Sequence, residues 1–80
     1  MLITKWGSPV KISTIYRSTE TVASPFEAVI HLTDNWPDRS SASFIEAHNA
    51  CRAAVAGRID AEVARTKFLA AVSAAGMRVR

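Results

Sequence analysis

Ser24-Pro25-Phe26-Glu27 is the stretch on which the reading of this chain turns. Serine before a helix offers its hydroxyl to the unpaired amides of the first turn. Proline at the first helical position has its φ already set, and a glutamate three residues past the serine can return a hydrogen bond as a capping box. A helix therefore starts at Pro25. Downstream, Phe26, Val29, Ile30 and Thr33 fall on one face and form the side expected to turn inward. The helix must stop before Trp36-Pro37, because proline disfavours helical geometry in the residue that precedes it.

Upstream of Ser24 the period changes. From Val10 to Arg17, Val10, Ile12, Thr14 and Tyr16 alternate with Lys11, Ser13, Ile15 and Arg17, the pattern of a half-buried strand. A polar turn over residues 17–20 leads to Thr21-Val22-Ala23, short and β-branched, which closes a hairpin. Leu2 to Trp6 could add an edge strand.

After a polar loop over residues 38–42, Phe44, Ala47, Cys51, Ala54 and Val55 recur at helical spacing, with Glu46, Asn49 and Ala53 on the opposite side. Gly57 ends this second helix as a left-handed cap. Asp60 caps a third helix whose inward stripe is Ala61, Ala64, Phe68, Ala71, Val72 and Ala75, terminated by Gly76. Met77-Arg78-Val79-Arg80 alternates again and predicts a short strand returning to the hairpin edge. The expected fold is one α+β domain over residues 1–80: an N-terminal hairpin, with a third strand from the C-terminal tail, packed on three helices in the order ββααα(β).

Composition bounds the function. Eighty residues allow one small core, and fourteen alanines, twelve of them after Ser41, let helices approach closely. The lone Cys51 excludes an intramolecular disulfide and suits a reducing compartment. No secretory leader is evident, and the longest small-and-apolar run, Phe68 to Met77, is far short of a bilayer span, so a cytoplasmic protein without membrane partners is expected. The net charge of +3 arises entirely after Ser41, where Arg52, Arg58, Arg65, Lys67, Arg78 and Arg80 face Glu46, Asp60 and Glu62.

Trp36-Pro37, Ala50-Cys51 followed by Gly57, then Ala64-Arg65 with Phe68, Ala71, Ala75-Gly76 and Val79 form a pattern that resembles the bacterial domain-of-unknown-function family nine-eight-two. The match covers most of the chain from Val22 onward. The resemblance implies a small stand-alone protein of soil- and plant-associated bacteria, and it transfers no activity and no functional residues.

Read from the residues, no constellation defines an enzyme. His48 and Cys51 lie three apart on one helix, but His31 would have to supply a third metal ligand and no fourth is at hand. A catalytic thiolate is disfavoured by the place of Cys51 in the middle of an apolar stripe. The three glycines are too scattered to cradle a phosphate, so neither cofactor nor metal is expected. Arg65 borders the inward face of the third helix, about 60° from Phe68, and reads either as an anion site or as a tie to carbonyls or to Glu62. Trp36 reads as a plug over the helical pair; Trp6 divides between core and binding anchor. Ile15 is an apolar spot on the polar strand face. Trp6, Ile15 and Arg65 are thus the candidate interaction surface of a small non-enzymatic interaction module, with a protein partner or self-association through a sheet edge or helix face. Weak nucleic-acid binding by Arg52, Arg58, Arg78 and Arg80 is the alternative.

Overall fold

The computed structural model of the chain describes residues 5–13, 19–34, 36 and 39–79. Its elements run β1 (Val10–Ser13), β2 (Thr19–Val22), α1 (Pro25–Asp34), α2 (Ala42–Val55), α3 (Ala61–Ala74) and β3 (Arg78–Val79). β1 is the centre of a three-stranded sheet ordered β2-β1-β3, antiparallel on both sides. Val10 pairs with Val22 and Ile12 with Glu20 on one side, and Ile12 with Val79 on the other. The expected α+β order is therefore observed, including the returning third strand.

Several boundaries differ, Ala42 of the expected polar loop among them, since α2 begins there. β2 begins at Thr19, so part of the expected turn is ladder, and Ala23 lies beyond its end. The β1 ladder reaches Ser13, and the rest of the expected strand, with Ile15, lies outside the described residues. Of the proposed edge strand Leu2 to Trp6, residues 2–4 lie outside the described residues and residues 5 and 6 carry no strand, although the Trp6 amide donates to the Ala23 carbonyl at 2.9 Å.

Local chemistry explains the helix ends. Ser24 is buried, its Oγ accepts from the Glu27 amide at 3.2 Å, and its hydroxyl donates to Glu27 Oε2 at 3.2 Å. Ser41 caps α2 by accepting from Phe44 N, and Asp60 caps α3 by accepting from Glu62 N. Both long helices end the same way: Gly57 and Gly76 hold φ of 79° and 76°. In each, the glycine amide and the next one turn back onto carbonyls of the last turn, Arg58 to Ala53 and Met77 to Val72.

The core lies between the sheet and the helices. Phe68 is fully buried, with the rings of Trp6 and Trp36 each 5.6 Å away centre to centre, and Val10, Ile12, Val22 and Leu32 belong to the same buried cluster. Ala47, Cys51, Ala54, Ala61, Ala64 and Ala71 are all buried, so α2 and α3 meet through small side chains. Two expectations of phase are corrected. Val55 is half-exposed rather than inward. On α1 the buried residues are Pro25, Ala28 and Leu32, while Phe26 and Ile30 remain 61% and 44% exposed. Small Ala28 lets α1 sit close to its neighbours, where the larger Phe26 face would hold it away.

Candidate interaction surface

Of the three residues singled out from sequence, Trp6 and Arg65 meet at one seam between residues 6–8 and the start of α3. Trp6 is only 5% exposed, and its indole Nε1 donates to the Ala61 carbonyl at 2.8 Å. It is core, not a projecting anchor, and its ring contact with Phe68 accounts for its size. Arg65 is half-buried, and its Nε donates to the Ser8 carbonyl at 3.0 Å. Glu62 does not pair with it; one Glu62 carboxylate oxygen instead accepts from the Gly7 amide at 3.1 Å. Three successive residues, Trp6, Gly7 and Ser8, are thus stitched to the first turns of α3, and Arg65 is the tie that the sequence reading held as one of its two options. Ile15 lies outside the described residues.

His48 and Cys51 take structural places. The His48 ring stacks on Phe44 at 5.8 Å and 12° between planes. Cys51 is fully buried with Sγ 3.9 Å from the Ala64 carbonyl, and burial pushes its thiol up to about 12, so it is protonated at neutral pH. Among the described residues no group of three or more His, Cys, Asp and Glu side chains could hold a metal ion. None of the described helices is long and apolar enough to cross a membrane.

Two surface features emerge that sequence reasoning passed over. The first is the outer side of α1. Ile30 points about 160° away from Leu32 around the helix axis, and Phe26 lies one turn before Ile30 on the same side. Glu27 and Asp34 border this apolar pair, and α1 carries no Lys or Arg. Half of the Glu27 carboxylate is engaged by Ser24, whereas the exposed Asp34 carboxylate has no hydrogen bond or ion pair among the described residues. Arg39 donates to the Thr33 carbonyl and so covers the C-terminal end of the helix. The signal was present in the sequence, since Pro25, Ala28 and Leu32 recur as regularly as Phe26, Ile30 and Thr33. Val29, from the row expected to turn inward, does pack against the core at its edge.

The second feature is a depression of about 400 Å³ at the end of α2, lined by Asn49, Arg52, Ala53, Ala56 and Arg58. Of the four bases proposed for nucleic acid, Arg52 and Arg58 meet here, Arg78 belongs to the sheet, and Arg80 lies outside the described residues. The bases do not form one described surface, and the nucleic-acid alternative gains no support.

A family model matches residues 8–79, nearly the whole chain, so the protein belongs to the family described as protein of unknown function (DUF982). The match extends the resemblance upstream to include both strands of the hairpin. No curated protein matches the chain. No solved structure matches it either.

Proposed function

We propose that this domain is a non-enzymatic interaction module that uses the outer side of α1 to dock a basic amphipathic segment of a protein partner. The observation that carries this reading is the exposure of Phe26 and Ile30, at 61% and 44%, on a helix whose other side already fills the core. An aromatic and a branched side chain one turn apart are suitable anchors for apolar groups of a partner helix. Charge selects among partners: Glu27 and Asp34 border the anchors and neither Lys nor Arg lies on α1, so Lys or Arg on the partner's rim is favoured. The buried, protonated Cys51 accords with a role that uses no nucleophile and with residence in the cytoplasm.

The test uses two synthetic helical peptides with leucines one turn apart, one rimmed by lysines and the other by glutamates. Amide shifts on the full chain should map the lysine peptide to α1, salt should weaken the binding, and Phe26→Asp should abolish it. Equal binding of both peptides would overturn the reading. So would unchanged binding by Phe26→Asp, or light scattering that shows a dimer of the chain which Phe26→Asp dissociates.

A further inference from the structure

We propose that the depression at the end of α2 is a binding site for a doubly charged oxyanion of the phosphate monoester class, a site independent of the α1 surface. Its construction follows from the sequence. Asn49, Arg52, Ala53 and Ala56 stand at i, i+3, i+4 and i+7, which places them on one face of α2, directly opposite the buried Ala47, Cys51 and Ala54. Arg58 is brought to the same hollow by the turn at Gly57, whose φ of 79° folds the chain back so that the Arg58 amide donates to Ala53 O at 2.8 Å. Ala53 and Ala56 contribute only methyl groups to a hollow whose other lining residues are two arginines and an asparagine.

Charge is the second observation. No carboxylate lines the hollow, and neither Arg52 nor Arg58 has a side-chain hydrogen bond or ion pair among the described residues. A helix C-terminus ordinarily attracts bases because its carbonyls are unpaired. Here the Arg52, Ala53 and Ala54 carbonyls already accept from Ala56, Arg58 and Gly57. Two planar forks with no internal partner match the oxygens of a dianion, and the Asn49 amide can add a neutral donor. A carboxylate would balance only one of the two charges. The ester side of the ligand would rest on the alanine floor.

The experiment titrates the full chain with inorganic phosphate and with phenyl phosphate at constant ionic strength, following the Asn49 side-chain amide and the Arg52 and Arg58 Nε–H signals. Saturable shifts confined to these groups are expected, with affinity for phenyl phosphate rising as pH passes about 6, where a phosphate monoester loses its second proton. Arg52→Lys or Arg58→Lys keeps the charge and should weaken binding roughly tenfold, about the worth of one hydrogen bond to a charged group. Ala53→Leu keeps both arginines and fills the floor, and it should remove saturation. Shifts that do not saturate, or that spread equally to Lys11 and Lys67, would overturn the proposal. So would equal affinity for glutarate, preferential binding of a nucleic-acid duplex in place of the small phosphates, or unchanged binding by both the Lys and the Leu variants.

Discussion

Replacing Phe68 by alanine is the most demanding test of the packing. The side chain is fully buried, and its neighbours one turn away on α3 are Ala64, Ala71 and Val72. The methyl of an alanine is too short to reach into a void, so the cavity should persist. A phenylalanine truncated in such a setting costs about 3–5 kcal/mol. Loss of the two aromatic contacts, with Trp6 and Trp36 at 5.6 Å each, places the value toward the upper end. The whole domain, at roughly 0.05–0.15 kcal/mol per residue, has only about 4–12 kcal/mol to lose. Phe68→Ala should therefore lie near or below the folding threshold, and Phe68→Leu, which retains much of the volume, should cost about 1–1.5 kcal/mol. Urea unfolding followed by tryptophan emission and far-ultraviolet circular dichroism would order the midpoints as wild type, Leu, then Ala. Phe26→Ala supplies the control, for the same atoms removed from a 61% exposed site should change stability by no more than about 0.5 kcal/mol. A Phe68→Ala midpoint within that margin of wild type, or an equal loss in Phe26→Ala, would refute the phasing of both helices.

Other expectations follow from single contacts. Because burial raises the Cys51 thiol to about 12, the unfolded chain ionises first as pH climbs above the ordinary thiol value, near 9; stability should fall between those two pH values, and Cys51→Ala should flatten that slope in pH-dependent denaturation. The native thiol should react with alkylating reagents only as fast as the core opens, and labelling within seconds at neutral pH would contradict its burial. Gly57→Ala forces a side chain into the left-handed region and should cost about 1–2 kcal/mol in thermal unfolding, with Gly57→Asn recovering part of it. Arg65→Met removes the tie to Ser8, and should cost about 0.5–1.5 kcal/mol while speeding hydrogen exchange at the Trp6 indole; unchanged exchange would show that the tie does not hold the segment down.

Most of the architecture was legible because its signals are local. Ser24 and Asp60 announce helix starts through short side-chain caps, and Gly57 and Gly76 mark ends because positive φ is costly for other residues. The α3 stripe was legible too, since its one aromatic residue, Phe68, falls in line with Ala61, Ala64, Ala71 and Val72. α1 was not, because two apolar rows compete on it and only tertiary packing decides that Ala28 and Leu32 go in and Phe26 stays out. The basic hollow was hidden for a related reason. Arg52 and Arg58 are six apart in sequence, a spacing that means little until Gly57 bends the chain between them. Trp6 was undecidable from its neighbours, since what buries it is a carbonyl fifty-five residues away.

That separation bears on how the molecule assembles in time. The opening strand is the middle of the sheet, and one of its two partners is β3, the last strand of the chain. The indole of Trp6 and the carbonyl of Ser8 likewise find their partners on α3, 55 and 57 residues on. During synthesis the β1–β2 hairpin and then α1 emerge without the surfaces that complete them, and long loops must close before these contacts contribute. Folding should therefore wait for nearly the whole chain and then proceed in one cooperative step. Until then Trp6, Val10 and Ile12 are open to solvent, and a ribosome-bound intermediate arrested before α3 should be far more sensitive to protease than the released protein.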